Sequence, residues 1–280
     1  MAWADLTDVR CYYELLGEGE PLLLIPGLGV TAAVWEPIAP ELAEHFSLIL
    51  VDNRGMGRSV AKREPATLND FCSDLVELLD HLQIERSHVL GLSLGGVIAH
   101  RFAVDHAARV DRLVLASCTD KFTPYLRHVA LLLGQTLRNL RSTAFARTME
   151  VMGTSPTYMD SQPDLVEERI KEKCAQKIPP RAIGRQLRCL AGSEVENHDP
   201  IVAPTLVIAG EHDFLIPNCY AREMASRIPG SRFVQIPGGG HNPLVECPNE
   251  VLPLITQFLK DIPPSPASRR PALVAAGGTQ

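Results

Sequence analysis

Four short runs in the first 120 residues, 22–25, 48–51, 89–92 and 113–116, contain only apolar residues and glycine. A strand that is apolar throughout has to be covered on both faces, which places it inside a sheet with helices above and below. The stretches between these runs supply the helices. In the clearest, Leu68, Phe71, Cys72, Leu75, Val76, Leu79 and Leu82 recur at three- and four-residue spacing, and Thr67 with Asp70 can cap the start. Strands alternating with helices of this length predict an α/β fold, a mostly parallel sheet joined by right-handed crossovers.

The alternation stops after Asp120. Residues 122–199 show no convincing strand pattern, only helix-like segments rich in Leu, Met and Arg, punctuated by Gly153, Pro156, Pro163 and Pro179-Pro180. Sheet rhythm returns at 205–209, followed by a helical pattern around 220–227, a strand near 233–236 and a closing helix over 249–260. A length of 280 residues admits one large domain, one domain with an insertion, or two cores. The pattern favours a single core assembled from 1–121 and 200–262, with 122–199 inserted as a helical segment. Residues 263–280, rich in Pro, Ala, Gly and Ser, are expected to be disordered.

The sharpest chemical signal is Gly91-Leu92-Ser93-Leu94-Gly95-Gly96, which ends one apolar run and opens a helical pattern over 97–104. A reversal this tight strains the central residue, and flanking glycines relieve the crowding while the hydroxyl is held above the sheet end. The alternative is a plain Gly/Ser turn into a helix; the strand before it and the helix after it favour a nucleophile. A serine hydroxyl needs a base, and the base needs a carboxylate to orient it. Of nine histidines, His241 follows Gly238-Gly239-Gly240 just after the last apolar run, where glycine lets a loop reach toward the serine. His45, His81, His88, His100 and His106 sit on or beside predicted elements as core or solvated residues, and His198 and His212 are weaker competitors in loops.

For the carboxylate, Asp213 in Gly210-Glu211-His212-Asp213 stands where a strand gives way to a loop at the carboxyl edge of the sheet, with Glu211 its nearest rival. The oxyanion donors are expected to be two backbone N–H groups, that of Leu94 after the nucleophile and that of Leu28 in Pro26-Gly27-Leu28-Gly29. The segment Asp52-Asn53-Arg54-Gly55-Met56-Gly57-Arg58-Ser59 lacks a phosphate-loop lysine and reads as a structural turn in which Asp52 or Arg54 is buried and paired.

Across residues 10–260 these motifs, in this order, resemble the α/β-hydrolase fold family. Ser93 stands at the family's nucleophile elbow, residues 52–59 match its DxRGxGxS segment, and residues 210–213 and 239–241 look like its acid and histidine loops. Pro26 departs from the histidine many members carry. The resemblance implies that 122–199 is a lid, that no cofactor is needed, and that the substrate is a small molecule. Within the family the chain is similar to enol-lactonases of the 3-oxoadipate type, to small-acid carboxylesterases and to hydrolases of carbon–carbon bonds in ring-fission products. Serine at 93 argues against the dehalogenases and epoxide hydrolases, which attack through aspartate. The leading expectation is a serine hydrolase cleaving a small ester or lactone through an acyl-enzyme. Carbon–carbon bond hydrolysis of a vinylogous diketone is the same-class alternative, and a non-catalytic ligand-binding member of the fold the different-class one.

Net charge enters as an exclusion. A total of −6 argues against a general nucleic-acid binder, which needs a basic face, and leaves a local basic patch open without supporting it. No run approaches the roughly 18 apolar residues of a membrane span, and the first ten residues do not read as a secretory signal. Seven dispersed cysteines without a CxxC pair fit reduced thiols, hence a cytoplasmic location. Oligomeric state is left open, a homodimer being one option. Residues 122–199 carry 11 Lys and Arg against 9 Asp and Glu, +2, which leaves −8 for the rest of the chain. That asymmetry suits an anionic substrate, and it suits solvated helix faces too. Met149, Met152 and Met159 with residues 131–133 fit either an apolar pocket or the insertion's own core.

Overall fold

Each apolar run becomes a strand of one sheet in the computed structural model, which describes residues 1–65, 67–139, 142–175, 180–192 and 200–260. The strands are β1 (Ala2–Asp5), β2 (Val9–Leu16), β3 (Glu20–Ile25), β4 (Phe46–Val51), β5 (Val60–Ala61), β6 (Ser87–Leu92), β7 (Val110–Ala116), β8 (Thr205–Gly210) and β9 (Arg232–Ile236). Among the described residues their order is β1-β2-β4-β3-β6-β7-β8-β9, with β5 against β2. From β4 to β9 every pairing is parallel, while β1, β2 and β5 pair antiparallel at one edge.

The sequence pattern does not announce that antiparallel edge. Arg10 and Glu14 interrupt the apolar sequence of β2, because a strand near the edge keeps one face toward water. In the central strands, by contrast, side chains alternate between two buried layers. Leu22, Leu24, Leu48 and Leu50 face one layer, and Leu23, Ile25, Ile49 and Val51 face the other.

The first layer is covered by α1 (Ala39–Ala43), α10 (Pro243–Glu246) and α11 (Pro248–Lys260), the second by α2 (Leu68–His81), α3 (Leu94–Asp105) and α9 (Asn218–Arg227). The predicted start of α2 holds: the Asp70 carboxylate accepts the Thr67 backbone N–H at 2.9 Å. Between β7 and β8 the chain leaves the sheet and forms α4 (Pro124–Asn139), α5 (Ser142–Gly153), α6 (Pro156–Ser161), α7 (Pro163–Ala175) and α8 (Pro180–Ala191). Among the described residues these helices contribute to two small apolar clusters, one of Leu133, Ile183 and Leu187 with Leu215 from the loop after β8, the other around Ala146, Val166 and Ile170. The expectation of a disordered tail at 263–280 falls outside the described residues, as does His198. No helix among the described residues is long and apolar enough to cross a membrane.

The strand order fixes where a ligand can sit. From β3 the chain moves outward to β4, then returns to place β6 on the other side of β3. The loops leaving β3 and β6 therefore diverge, and a crevice opens at their carboxyl ends. Pro26 to Gly29 leave β3, and Ser93 leaves β6.

Candidate active site

Ser93 joins β6 to α3 with φ 57° and ψ −120°, a left-handed conformation that costs a non-glycine residue on the order of 1–3 kcal/mol. Sheet and helix hold it there from both sides: its N–H donates to Ala116 O at 2.9 Å, and its carbonyl accepts the Val97 N–H at 3.0 Å. The flanking glycines are demanded by contact. A methyl group on Gly91 would lie 2.2 Å from Gly95 O, and one on Gly95 would lie 2.0 Å from Ile25 O. Both obstacles are backbone, one in the first turn of α3 and the other at the end of β3, so neither moves without shifting a buried element. Gly95→Ala is expected to cost at least about 3 kcal/mol, the upper end of overpacking penalties, measured by urea denaturation. A variant as stable as the parent would contradict this packing.

The last two loops converge on the same point. His241, after β9, places Nε2 2.9 Å from Ser93 Oγ and Nδ1 2.8 Å from Asp213 Oδ2. Asp213, after β8, has a fully buried carboxylate whose other oxygen accepts the N–H groups of Leu215 at 2.9 Å and Ile216 at 2.8 Å. Two amides on Oδ1 fix the carboxylate plane and leave Oδ2 for the imidazole, whose Nδ1 therefore carries the proton. Glu211 points elsewhere: its carboxylate accepts the Gly238 N–H at 3.0 Å and is 43 % exposed. Cys118, packed behind the elbow against Gly96, is no rival nucleophile, since burial pushes its thiol far above the ordinary range.

Leu94 is the first residue of α3, so its N–H is one of the free donors at a helix start, beside Ser93. The loop carrying Leu28 reaches the same place. A methyl group on Gly27 would lie 3.3 Å from Ser93 Cβ and 3.8 Å from Oγ. Three residues that sequence reasoning passed over hold these loops. Asn53 donates to Pro26 O at 3.0 Å, and buried Gln186, on α8, accepts the Gly29 N–H at 2.9 Å. Glu246 accepts the N–H groups on either side of His241, those of Gly240 at 2.9 Å and Asn242 at 3.1 Å, and also that of Ser155 at the start of α6, at 2.9 Å. The segment 52–59 is a structural turn in which both Asp52 and Arg54 are buried and paired. Asp52 accepts the Ala32 N–H at 2.8 Å and the Arg58 N–H at 2.8 Å. Arg54 Nε meets Asp74 at 2.7 Å, and burial, opposed by that guanidinium, pushes the Asp74 carboxyl up to about 6.

A cavity of about 420 Å³ lies over Ser93 and His241, walled by the β3 loop below and by the inserted helices above. Its wall is mainly apolar, with Leu28, Leu133, Phe145, Met149, Ile183 and Leu187 prominent, and Arg169, Lys173 and Thr154 at its insertion side. Met149 thus faces the cavity. Met152 and Met159 instead pack within the insertion's clusters, and Leu131 and Leu132 are exposed, because only one face of α4 turns inward.

A family model described as the alpha/beta hydrolase fold matches residues 20–248. The chain is 27 % identical over 242 residues to a protein of Azorhizobium caulinodans named "Putative carbamate hydrolase RutD", covering 86 % of this chain and 91 % of that one. Among solved structures, the enol-lactonase from Burkholderia xenovorans LB400 superposes with a TM-score of 0.83 at 25 % identity, covering 92 % of this chain and 99 % of that one. A thermophilic esterase from Thermogutta terrifontis, solved with malate bound, gives 0.82 at 26 % identity, covering 93 % and 99 %.

Proposed function

Because the chain belongs to the α/β hydrolase fold family, we propose that it is a serine hydrolase cleaving a small carboxylic ester or lactone through an acyl-enzyme. The observation that carries this reading is the unbroken hydrogen-bonded path from Ser93 Oγ through His241 to Asp213 at the floor of a largely apolar cavity. The enol-lactonase and esterase likenesses support the same substrate class.

In this mechanism His241 Nε2 takes the Ser93 proton as Oγ attacks the substrate carbonyl carbon. The carbonyl oxygen becomes an oxyanion held by the backbone N–H groups of Leu28 and Leu94. Collapse breaks the bond to the leaving oxygen, which receives the proton from His241; in a lactone that oxygen stays on the same molecule. Water, deprotonated by the same histidine, then attacks the acyl carbon and releases the acid and Ser93. Asp213 stabilises the imidazolium in both halves. Helices α4–α8 act as the lid, closing the cavity from above and excluding bulk water. A cytoplasmic site of action fits the cysteines, all seven of which are unpaired.

Labelling with a fluorophosphonate probe tests the reading directly. Peptide mass spectrometry should find the adduct on Ser93, and p-nitrophenyl butyrate should be turned over. Folded protein that takes up no probe and hydrolyses no ester would sink it.

A further inference from the structure

Charged side chains are few in the cavity wall, and two are matched by partners behind it: Asp120 pairs with Arg227, and Lys121 with Glu223 at 2.7 Å. A third group is not balanced. Glu150, on α5, is wholly buried and faces two cations one turn apart on α7. Arg169 Nε lies 3.1 Å from Glu150 Oε1, Lys173 Nζ contacts Oε2, and Thr154 donates to Oε1 at 3.1 Å. A clamp between two helices needs one cation for one carboxylate; here a single positive charge is left over beside the cavity.

The guanidinium is also underused. Arg169 meets Glu150 through Nε, while its Nη1 is buried and has no hydrogen-bond partner among the described residues. Nη1 is closed off by protein, so what a ligand can meet is the 18 % of the Arg169 side chain and the 29 % of the Lys173 side chain that stay exposed. Burial lowers the hold of Lys173 on its proton against the pull of Glu150, so a second anion beside it would be stabilising. Both cations line the same cavity as Ser93, and the wall of that cavity is mainly apolar, with Phe145 and Met149 in it.

We propose that Arg169 and Lys173 form an anion subsite on the insertion side of the cavity, which takes a distal carboxylate on the acyl chain of the substrate. Methylene groups of that chain would lie along the apolar wall while its carbonyl meets Ser93. The fate of such a substrate rests on the serine-hydrolase reading; the binding preference does not.

Calorimetric titration of Ser93→Ala protein with monomethyl adipate, a monoanion, and dimethyl adipate, its neutral counterpart, separates the two. The monoanion should bind at least tenfold more tightly, as expected for a charge-assisted contact in an apolar cavity. Adding Glu150→Gln frees both cations and should widen the preference severalfold, whereas Arg169→Gln, which leaves Glu150 paired with Lys173, should erase most of it. The all-neutral combination Glu150→Gln/Arg169→Gln/Lys173→Gln strands no buried charge, serves where a single variant does not fold, and should bind both probes alike. Equal binding by the parent, or a preference untouched by Glu150→Gln and surviving in the all-neutral protein, overturns the subsite and leaves a structural clamp. Fluorophosphonate labelling of Ser93 without any anion preference defeats the subsite alone. Anion preference in folded protein whose Ser93 resists the probe defeats the hydrolase reading alone.

Discussion

Ser93→Ala is expected to lower kcat on p-nitrophenyl butyrate by about five to six orders of magnitude, the scale seen when a triad nucleophile is removed. The loss should be almost wholly chemical. Alanine keeps the Cβ that sits against Gly27 and inherits the same backbone strain at φ 57°, so the elbow, the flanking helix and the cavity remain. What disappears is the oxygen 2.9 Å from His241 Nε2. Substrate binding should change little, and the variant should melt within a few degrees of the parent. Activity above about one per cent in protein free of parent enzyme would mean that another group, or water alone, attacks the carbonyl.

Asp213→Asn should cost about four orders of magnitude, for a reason set by the surroundings of that side chain. Oδ1 accepts two backbone N–H groups, from Leu215 and Ile216. An asparagine oxygen has to stay on those donors, because turning the amide would bring its NH2 against two N–H groups. The amide nitrogen is then forced toward His241 Nδ1, where the carboxylate oxygen now stands at 2.8 Å. As a donor it obliges Nδ1 to accept, so the proton moves to Nε2 and the imidazole can no longer take one from Ser93. Steady-state kinetics and fluorophosphonate labelling should fall together. A variant retaining a tenth of the parent rate would show that His241 orientation does not depend on this carboxylate.

Much of this was legible in the sequence, and the division is physical. Central strands announce themselves because both faces are buried, so 22–25 and 48–51 have no polar residue to break the run. The elbow is legible because two steric requirements, at Gly91 and Gly95, admit only glycine around the serine. β2 was missed because Arg10 and Glu14 face outward and disguise it. Gln186 and Gly29 are 157 residues apart, and nothing local to either predicts the bond between them. Glu246 stands in an ordinary helix start, where an acid is common, and its three acceptor bonds exist only once α6 and the His241 loop arrive. The Glu150 group was hidden likewise: spacing places Arg169 and Lys173 on one face of a helix but says nothing of the carboxylate opposite.

Glu246 sets a rule for anyone who would exchange the inserted helices for those of a relative to change substrate choice. The segment between β7 and β8 looks like a removable module, since it enters and leaves the sheet between neighbouring strands. Yet one oxygen of Glu246 accepts from both Gly240 in the histidine loop and Ser155 in the insertion. A transplant that brings no N–H to that spot leaves the carboxylate free to turn, and the residue next to His241 turns with it. Compatibility of a graft is therefore decided at one amide, whichever residues are chosen for their fit to a new substrate.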